Sequence, residues 1–239
     1  MHISRSFVLL FALSLLALVL AAPQPLQLVD IAIGAVIFAA LIALGLRAAA
    51  PFGRGAPLLE QLGRTRPDWP RHLRNFLQAF LAGALLGAVL LVLLFILTSI
   101  EPAASARLAA RADQPLWVPV VLAVESSILE ELVFRLFLMS GLIWLMTRFG
   151  RVEPAGPARA VLVVALVISA LAFGLVHLPA WLALAAPTPL LVTAVLALNG
   201  LGGLLLGLVY WRWGIEAAIL CHLAGDLVVQ GLGPRLFGG

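Results

Sequence analysis

The chain has 239 residues, of which 63% are hydrophobic and only 11% are charged. Soluble globular domains contain about 45–50% apolar and about 25% charged residues, so this composition excludes a soluble enzyme and indicates a polytopic membrane protein. The net charge is +4, but the basic residues lie between apolar runs, where they orient a protein in the membrane. Nucleic-acid binding is therefore not expected, and the single cysteine, Cys221, excludes an internal disulfide framework.

Seven apolar runs are near the length of about 20 residues that spans a bilayer. In chain order they are Phe7–Ala22, Leu26–Leu46, Phe76–Ile100, Trp117–Met146, Ala160–Ala186, Leu190–Tyr210 and Gly214–Gly231. We predict an all-α transmembrane bundle that forms one integrated domain, with N-terminal helices and an arginine-rich connection in residues 1–110 and the functional core in residues 111–239. The first run resembles a signal peptide, but Pro23 directly after Ala22 makes a poor cleavage site, so we expect a retained anchor.

The positions of the arginines predict the orientation of the chain in the membrane. Arginines cluster in the connections after the second and fourth runs: Arg47, Arg54, Arg64, Arg66, Arg71 and Arg74, then Arg148, Arg151 and Arg159. Connections rich in arginine stay in the cytoplasm, whereas Glu101–Gln114 has balanced charge and Pro179–Pro189 has none. We therefore expect the N-terminus inside. Tyr210, Trp211 and Trp213 are interpreted as an interfacial aromatic belt, and the glycines of Gly200–Gly207 as sites of close helix packing.

Ionisable residues inside apolar runs are the strongest indication of a functional site. The fourth run contains Glu130, Glu131 and Arg135, although a charge at the bilayer centre costs about 2.5–3.5 kcal/mol. Successive helical residues are rotated by about 100°, so Glu131 and Arg135 share a face while Glu130 points elsewhere. This spacing predicts a Glu131–Arg135 ion pair and leaves Glu130 free to face a cavity.

Two further runs carry ionisable residues, His177 in one and His222 with Asp226 in the other. His222 and Asp226 are one helical turn apart, and Phe173 precedes His177 by the same spacing. Each pair also has a structural interpretation, such as a packed histidine or an interhelical hydrogen-bond node. Three such segments at compatible depth nevertheless favour a common site. Peptide hydrolysis needs an activated water, a base and support for the oxyanion. A glutamate can act as the base, and histidines can hold the water, donate to the oxyanion or bind a metal.

Three motifs carry a resemblance to a known family: "EELVFR" from Glu130, "FGLVH" from Phe173 and "HLAGD" from His222. Their order and spacing resemble the CAAX protease and bacteriocin-processing family of intramembrane endopeptidases, related to the CAAX prenyl endopeptidase Rce1. The resemblance implies that Glu130 activates water, that His177 holds this water, and that His222 with Asp226 supports the oxyanion. Glu131, Arg135 and Phe173 would be structural support.

Asp226 departs from the family pattern, because the relatives usually have asparagine there. An asparagine amide can donate to an oxyanion, whereas an ionised aspartate cannot. Asp226 is therefore protonated, orients His222, or helps to bind a metal. A Zn²⁺ ion held by Glu130, His177, His222 and Asp226 and a metal-free glutamate–water mechanism use the same residues, so the cofactor is left open.

The resemblance implies an integral protein of the bacterial cytoplasmic membrane whose partners are the bilayer and a membrane-associated peptide or protein substrate. Two other functions compete with the peptidase: a non-catalytic scaffold or bacteriocin-immunity-type protein, and a small transporter with a proton relay. The distribution of arginines predicts that the site lies toward the extracytoplasmic half of the membrane. The resemblance implies the opposite side, because the CAAX enzymes act on cytosolic tails.

Overall fold

A computed structural model describes residues 4–21, 27–62, 66–148, 157–183 and 188–237, and within these residues all regular secondary structure is helical. The all-α prediction is therefore confirmed. The helices are α1 (Arg5–Ala21), α2 (Leu28–Ala49), α3 (Pro57–Leu62), α4 (Trp69–Thr98), α5 (Pro102–Ala112), α6 (Trp117–Glu131), α7 (Ser140–Arg148), α8 (Arg159–Leu182), α9 (Pro189–Trp213), α10 (Ile215–Asp226) and α11 (Gly233–Phe237). The end of the expected N-terminal anchor at Ala22 and the arginines at 64 and 151 lie outside the described residues.

In the part of the chain that the structure describes, five helical stretches are long and apolar enough to span a membrane: Leu28–Phe52, Trp69–Thr98, Arg159–Leu182, Pro189–Trp213 and Ile215–Phe237. Two more apolar runs are helical but fall short of this criterion. The α1 helix has 17 residues, and π-helical turns divide the helical stretch from Trp117 to Arg148. A polytopic bundle is thus established, whereas the exact number of seven spans stays a prediction.

Two described segments are π-helical: Leu132–Met139 lies between α6 and α7, and Leu227–Leu232 lies between α10 and α11. Each begins directly after a motif carboxylate, Glu131 in the first case and Asp226 in the second. One carbonyl group of the first segment is satisfied from a neighbouring helix, because Ser169 Oγ of α8 donates to Phe134 O over 2.8 Å. Single π turns inside α-helices are frequent at functional sites.

Glycines allow the closest helix contacts around the site. A Cβ atom on Gly83 of α4 would overlap the carbonyl oxygen of Cys221 on α10, and one on Gly87 would lie 2.7 Å from Gly225 O. On α9, Gly203 is pressed in the same way against Ala170 of α8, as predicted for this glycine-rich stretch. Backbones can approach this closely only where both side chains are small. These contacts bring α4, α8, α9 and α10 together around one interior.

The α5 helix lies in the segment that the sequence predicts as a connection. Glu101 caps its first turn by accepting from Ala103 N at 3.4 Å, and Thr188 Oγ1 donates to the same carboxylate at 2.7 Å. Since Thr188 itself caps α9, one pair of capping residues joins the start of α5 to the start of α9. The buried side of α5 therefore has a fixed position at this end of the bundle.

The predicted aromatic belt is wrong for Tyr210. This side chain is completely buried, and its hydroxyl lies 2.6 Å from Ser140 Oγ. Tyr210 therefore packs inside the bundle, where the hydroxyl of Ser140 satisfies its polar end, while Trp211 and Trp213 remain partly exposed.

Candidate functional site

The two adjacent glutamates of α6 have different surroundings. Glu131 and Arg135 are both fully buried, and Glu131 Oε1 lies 3.0 Å from Arg135 Nη1, so the predicted ion pair is confirmed. Arg135 Nη2 also donates to Gly203 O over 3.3 Å. Glu130 instead lines a cavity, and its Oε2 atom is buried with no hydrogen-bond partner among the described residues.

His222 on α10 lies between the two glutamates. Its Nδ1 atom is 2.9 Å from Glu131 Oε1, a hydrogen bond that fixes the ring. Its Nε2 atom then faces Glu130 Oε2 at 3.8 Å and Asp226 Oδ2 at 3.7 Å. Both separations are too long for direct hydrogen bonds and short enough for one bridging water molecule.

His177 on α8 approaches Glu130 from the other side. Its Nδ1 atom lies 2.7 Å from Phe173 O, so Nδ1 carries the proton and donates to this carbonyl. In the neutral ring, Nε2 is then an acceptor, and it lies 3.9 Å from Glu130 Oε2. Two acceptors at this distance suit a water molecule that donates one hydrogen to each.

Asp226 is held by hydrogen bonds that the sequence analysis missed. Its Oδ2 atom accepts from Ser126 Oγ at 2.6 Å and from Gln230 Nε2 at 2.7 Å. Asp226 does not hydrogen-bond to His222, because its Oδ2 atom lies 3.7 Å from His222 Nε2. The hydrogen bond that orients His222 comes from Glu131 instead. The spacing offered a signal, since Ser126 precedes Glu130 by one turn and Gln230 follows Asp226 by one turn.

These groups share one cavity of about 340 Å³. Its walls are mainly leucines of α4, α6 and α9, and Glu125 also lines it. Arg107 and Arg111 of α5 line the same cavity; Arg107 Nη1 donates to Ala180 O at 2.8 Å. Burial and the charge of Arg111 lower the pKa of Arg107 to about 10. The cavity therefore combines an apolar interior, a carboxylate–histidine cluster and two basic side chains, which the sequence analysis did not place at the site.

The four candidate metal ligands are Glu130, His177, His222 and Asp226. Among the described residues, no group of three or more histidine, cysteine, aspartate or glutamate side chains is arranged to hold a metal ion. Asp226 Oδ2 already accepts two hydrogen bonds, from Ser126 and Gln230. As placed, Glu130, His177, His222 and Asp226 do not fit a metal site.

Taken together, the fold and the cavity define an integral membrane protein with a carboxylate–histidine cluster inside its helical bundle. Residues 112–228 match the family model described as type II CAAX prenyl endopeptidase Rce1-like. The match assigns this part of the chain to the Rce1-like family. A search of curated proteins and one of solved structures gave no match.

Proposed function

We propose that the protein is a CAAX-protease-like intramembrane endopeptidase in which Glu130 activates water to cleave a membrane-associated peptide or protein. Membership of the Rce1-like family supports the class of activity. The observation that carries the mechanism is the buried, unpartnered Oε2 atom of Glu130, which faces the Nε2 atoms of both motif histidines at 3.8–3.9 Å. This arrangement can hold one water next to a base.

In the proposed reaction, a water donates one hydrogen to Glu130 and the other to His177 Nε2. Glu130 takes a proton as the water oxygen bonds to the peptide carbonyl carbon, and the carbonyl electrons move to its oxygen. A protonated His222 can donate through Nε2–H to this oxyanion, because Glu131 holds its Nδ1 side. Collapse of the intermediate breaks the C–N bond, and the proton on Glu130 passes to the leaving nitrogen.

The test is a cleavage assay on purified, reconstituted protein with a library of membrane peptides, in which new termini are identified by mass spectrometry. Glu130→Gln removes the base and keeps the side-chain shape, so we expect loss of cleavage with little change in thermal unfolding. The matched control is Asp30→Asn, the same carboxylate-to-amide change on the exposed first turn of α2. Cleavage that survives Glu130→Gln would refute the assignment, and an inactive wild-type protein would favour a scaffold or immunity role.

The cavity is proposed to open toward the extracytoplasmic side, with the N-terminus in the cytoplasm. Its lining comes from the second half of α4, from α5 and from the end of α8, whereas the arginine-rich connections lie at the other ends of α4 and α8. Cysteine labelling in intact cells tests this in a Cys221→Ser background. A cysteine at exposed Ser105 should react with an impermeant maleimide, and one at exposed Arg66 only after lysis. The reverse pattern would place the cavity toward the cytoplasm.

A further inference from the structure

A second cavity of about 210 Å³ lies at the end of the bundle remote from Glu130. It is formed where the turn after α2, the helix α3, the first turns of α4 and the α9–α10 junction meet. We call it the basic cavity, and the polar residues that line it are Arg54, Gln61, Arg71, His72, Asn75 and Arg212. The reaction proposed above uses none of these residues.

Three arginines from separate parts of the chain line the basic cavity: Arg54, Arg71 and Arg212. None of them forms an ion pair in the part of the chain that the structure describes. Arg54 is held in place, since its Nη1 atom donates to Arg212 O at 3.4 Å and its guanidinium lies 5.4 Å from the centre of the Trp211 ring. Like charges that converge without a counter-charge repel one another, and a bound anion would remove this repulsion.

Neutral donors complete the lining. Gln61 Oε1 accepts from His72 Nε2 at 2.9 Å and from Asp68 N at 3.3 Å, which orients the amide. Its NH₂ group has no partner among the described residues and remains free to donate. Asn75 lies one turn after Arg71, so both side chains project from the same face of α4.

Two carboxylates beside the basic cavity, Asp68 and Glu216, accept from backbone groups and form no ion pair with the three arginines among the described residues. The Oε2 atom of Glu216 has no hydrogen-bond partner among these residues. Asp68 accepts from Arg71 N at 3.3 Å at the start of α4. Glu216 Oε1 accepts from Leu58 N and Leu59 N, both at 3.0 Å, at the start of α3. These interactions stabilise helix N-termini, and they leave the three guanidinium groups available to an exogenous anion.

The position of the basic cavity indicates the source of that anion. The cavity lies where the spanning helix α4 begins at Trp69 and α9 ends at Trp213. Tryptophans at helix ends are typical of the headgroup level of a bilayer, and basic pockets between spanning helices at this level suit anionic headgroups. A phosphate presents several oxygen acceptors that match the fork of a guanidinium group.

We propose that the basic cavity binds the phosphate group of an anionic phospholipid, at a site separate from the carboxylate–histidine cavity. The acyl chains would remain in the bilayer beside α4 and α9. The lipid would bridge the turn after α2, the start of α4 and the end of α9, so its binding should raise the resistance of the bundle to unfolding. The proposal does not depend on peptidase activity.

The test uses the full-length protein in a neutral detergent, with native mass spectrometry for bound lipid and thermal unfolding for stabilisation. The additives are phosphatidylglycerol, phosphatidylcholine and inorganic phosphate. The variants Arg71→Gln and Arg212→Gln change exposed side chains that the fold does not require, and a triple variant adds Arg54→Gln. The matched control triple, Arg47→Gln with Arg66→Gln and Arg74→Gln, removes the same charge at exposed positions outside the cavity.

We expect phosphatidylglycerol to bind and stabilise the wild type and the control triple, and phosphatidylcholine to have little effect. Each cavity variant should weaken phosphatidylglycerol binding by about tenfold or more, since each removes a charge-assisted contact. Equal weakening in the control triple would indicate general attraction between charges and overturn the proposal. Equal protection by inorganic phosphate would overturn the assignment to a lipid.

Discussion

Replacement of Glu131 by glutamine should destabilise the bundle far more than the same change at Glu130. Glu131 and Arg135 are completely buried and are joined over 3.0 Å. The variant Glu131→Gln leaves the arginine charge in an apolar interior without its counter-charge. Glu130 has no such partner, and about a quarter of its side chain is exposed, since its relative accessibility is 28%.

The expected loss follows from the geometry of the pair. At 3.0 Å, with an effective dielectric constant of about 20, the attraction between the two charges is about 5–6 kcal/mol. A glutamine can keep one hydrogen bond to the guanidinium, which is worth about 1.5–3 kcal/mol. The difference is about 2–4.5 kcal/mol. It overlaps the cost of about 3–5 kcal/mol for breaking a buried pair. For a chain of this length it corresponds to a midpoint lowered by about 10 °C.

The measurement is thermal unfolding in detergent of the wild type, Glu130→Gln, Glu131→Gln, Arg135→Gln and the double variant Glu131→Gln with Arg135→Gln. The double variant has no unpaired buried charge, so its midpoint should fall by less than the sum of the two single changes. Equal midpoints for Glu130→Gln and Glu131→Gln, or strictly additive losses in the double variant, would refute the reasoning.

Two further predictions concern the site and the packing. Asp226→Asn should retain cleavage, because an asparagine oxygen can accept the same hydrogen bonds from Ser126 and Gln230. A strong chelator should have little effect on cleavage by the wild type. Activity that is lost on dialysis against a chelator and restored by zinc would contradict this prediction. Gly83→Ala should lower the unfolding midpoint by several degrees, because its Cβ would overlap a backbone carbonyl of α10. The control is Gly200→Ala, which meets nothing within 4 Å and should stabilise α9 by up to about 1 kcal/mol; matching midpoints would refute the packing argument.

The apolar runs predicted the spanning helices well, because a run of about 20 apolar residues has few alternatives to a helix in a bilayer. The α8 helix, for example, covers Arg159–Leu182 where the sequence predicts Ala160–Ala186. The α5 helix was missed because Pro102–Ala112 has only 11 residues and contains two arginines, and the sequence analysis interpreted such a segment as a connection. The π turns after Glu131 and Asp226 were not predictable, since a run with a single polar residue has no periodicity that would reveal a change of helical pitch.

Local spacing predicted the contacts of the site that lie within one helix, and it failed for the contacts between helices. The pair Glu131–Arg135 follows from one helical turn, whereas the bond between His222 and Glu131 joins residues that are 91 positions apart. The prediction for Tyr210 failed for a related reason. The preference of tyrosine for interfaces reflects its need for a polar partner, and a buried serine on another helix can provide one.

The buried ion pair connects the two histidines that face Glu130. On one side, Glu131 holds His222 through its Nδ1 atom. On the other, the Arg135 guanidinium lies 4.4 Å from the centre of the Phe173 ring. The carbonyl group of Phe173 in turn holds His177 through its Nδ1 atom.

Both Nε2 atoms are thereby aimed at one carboxylate by contacts that begin at a single pair of charges. A buried pair of this kind contributes little net stability compared with well-packed apolar residues. Its presence is easier to explain by the orientation of the two histidines. Apolar residues could fill the same space, but they could neither accept the hydrogen bond that holds His222 nor place a cation against the Phe173 ring.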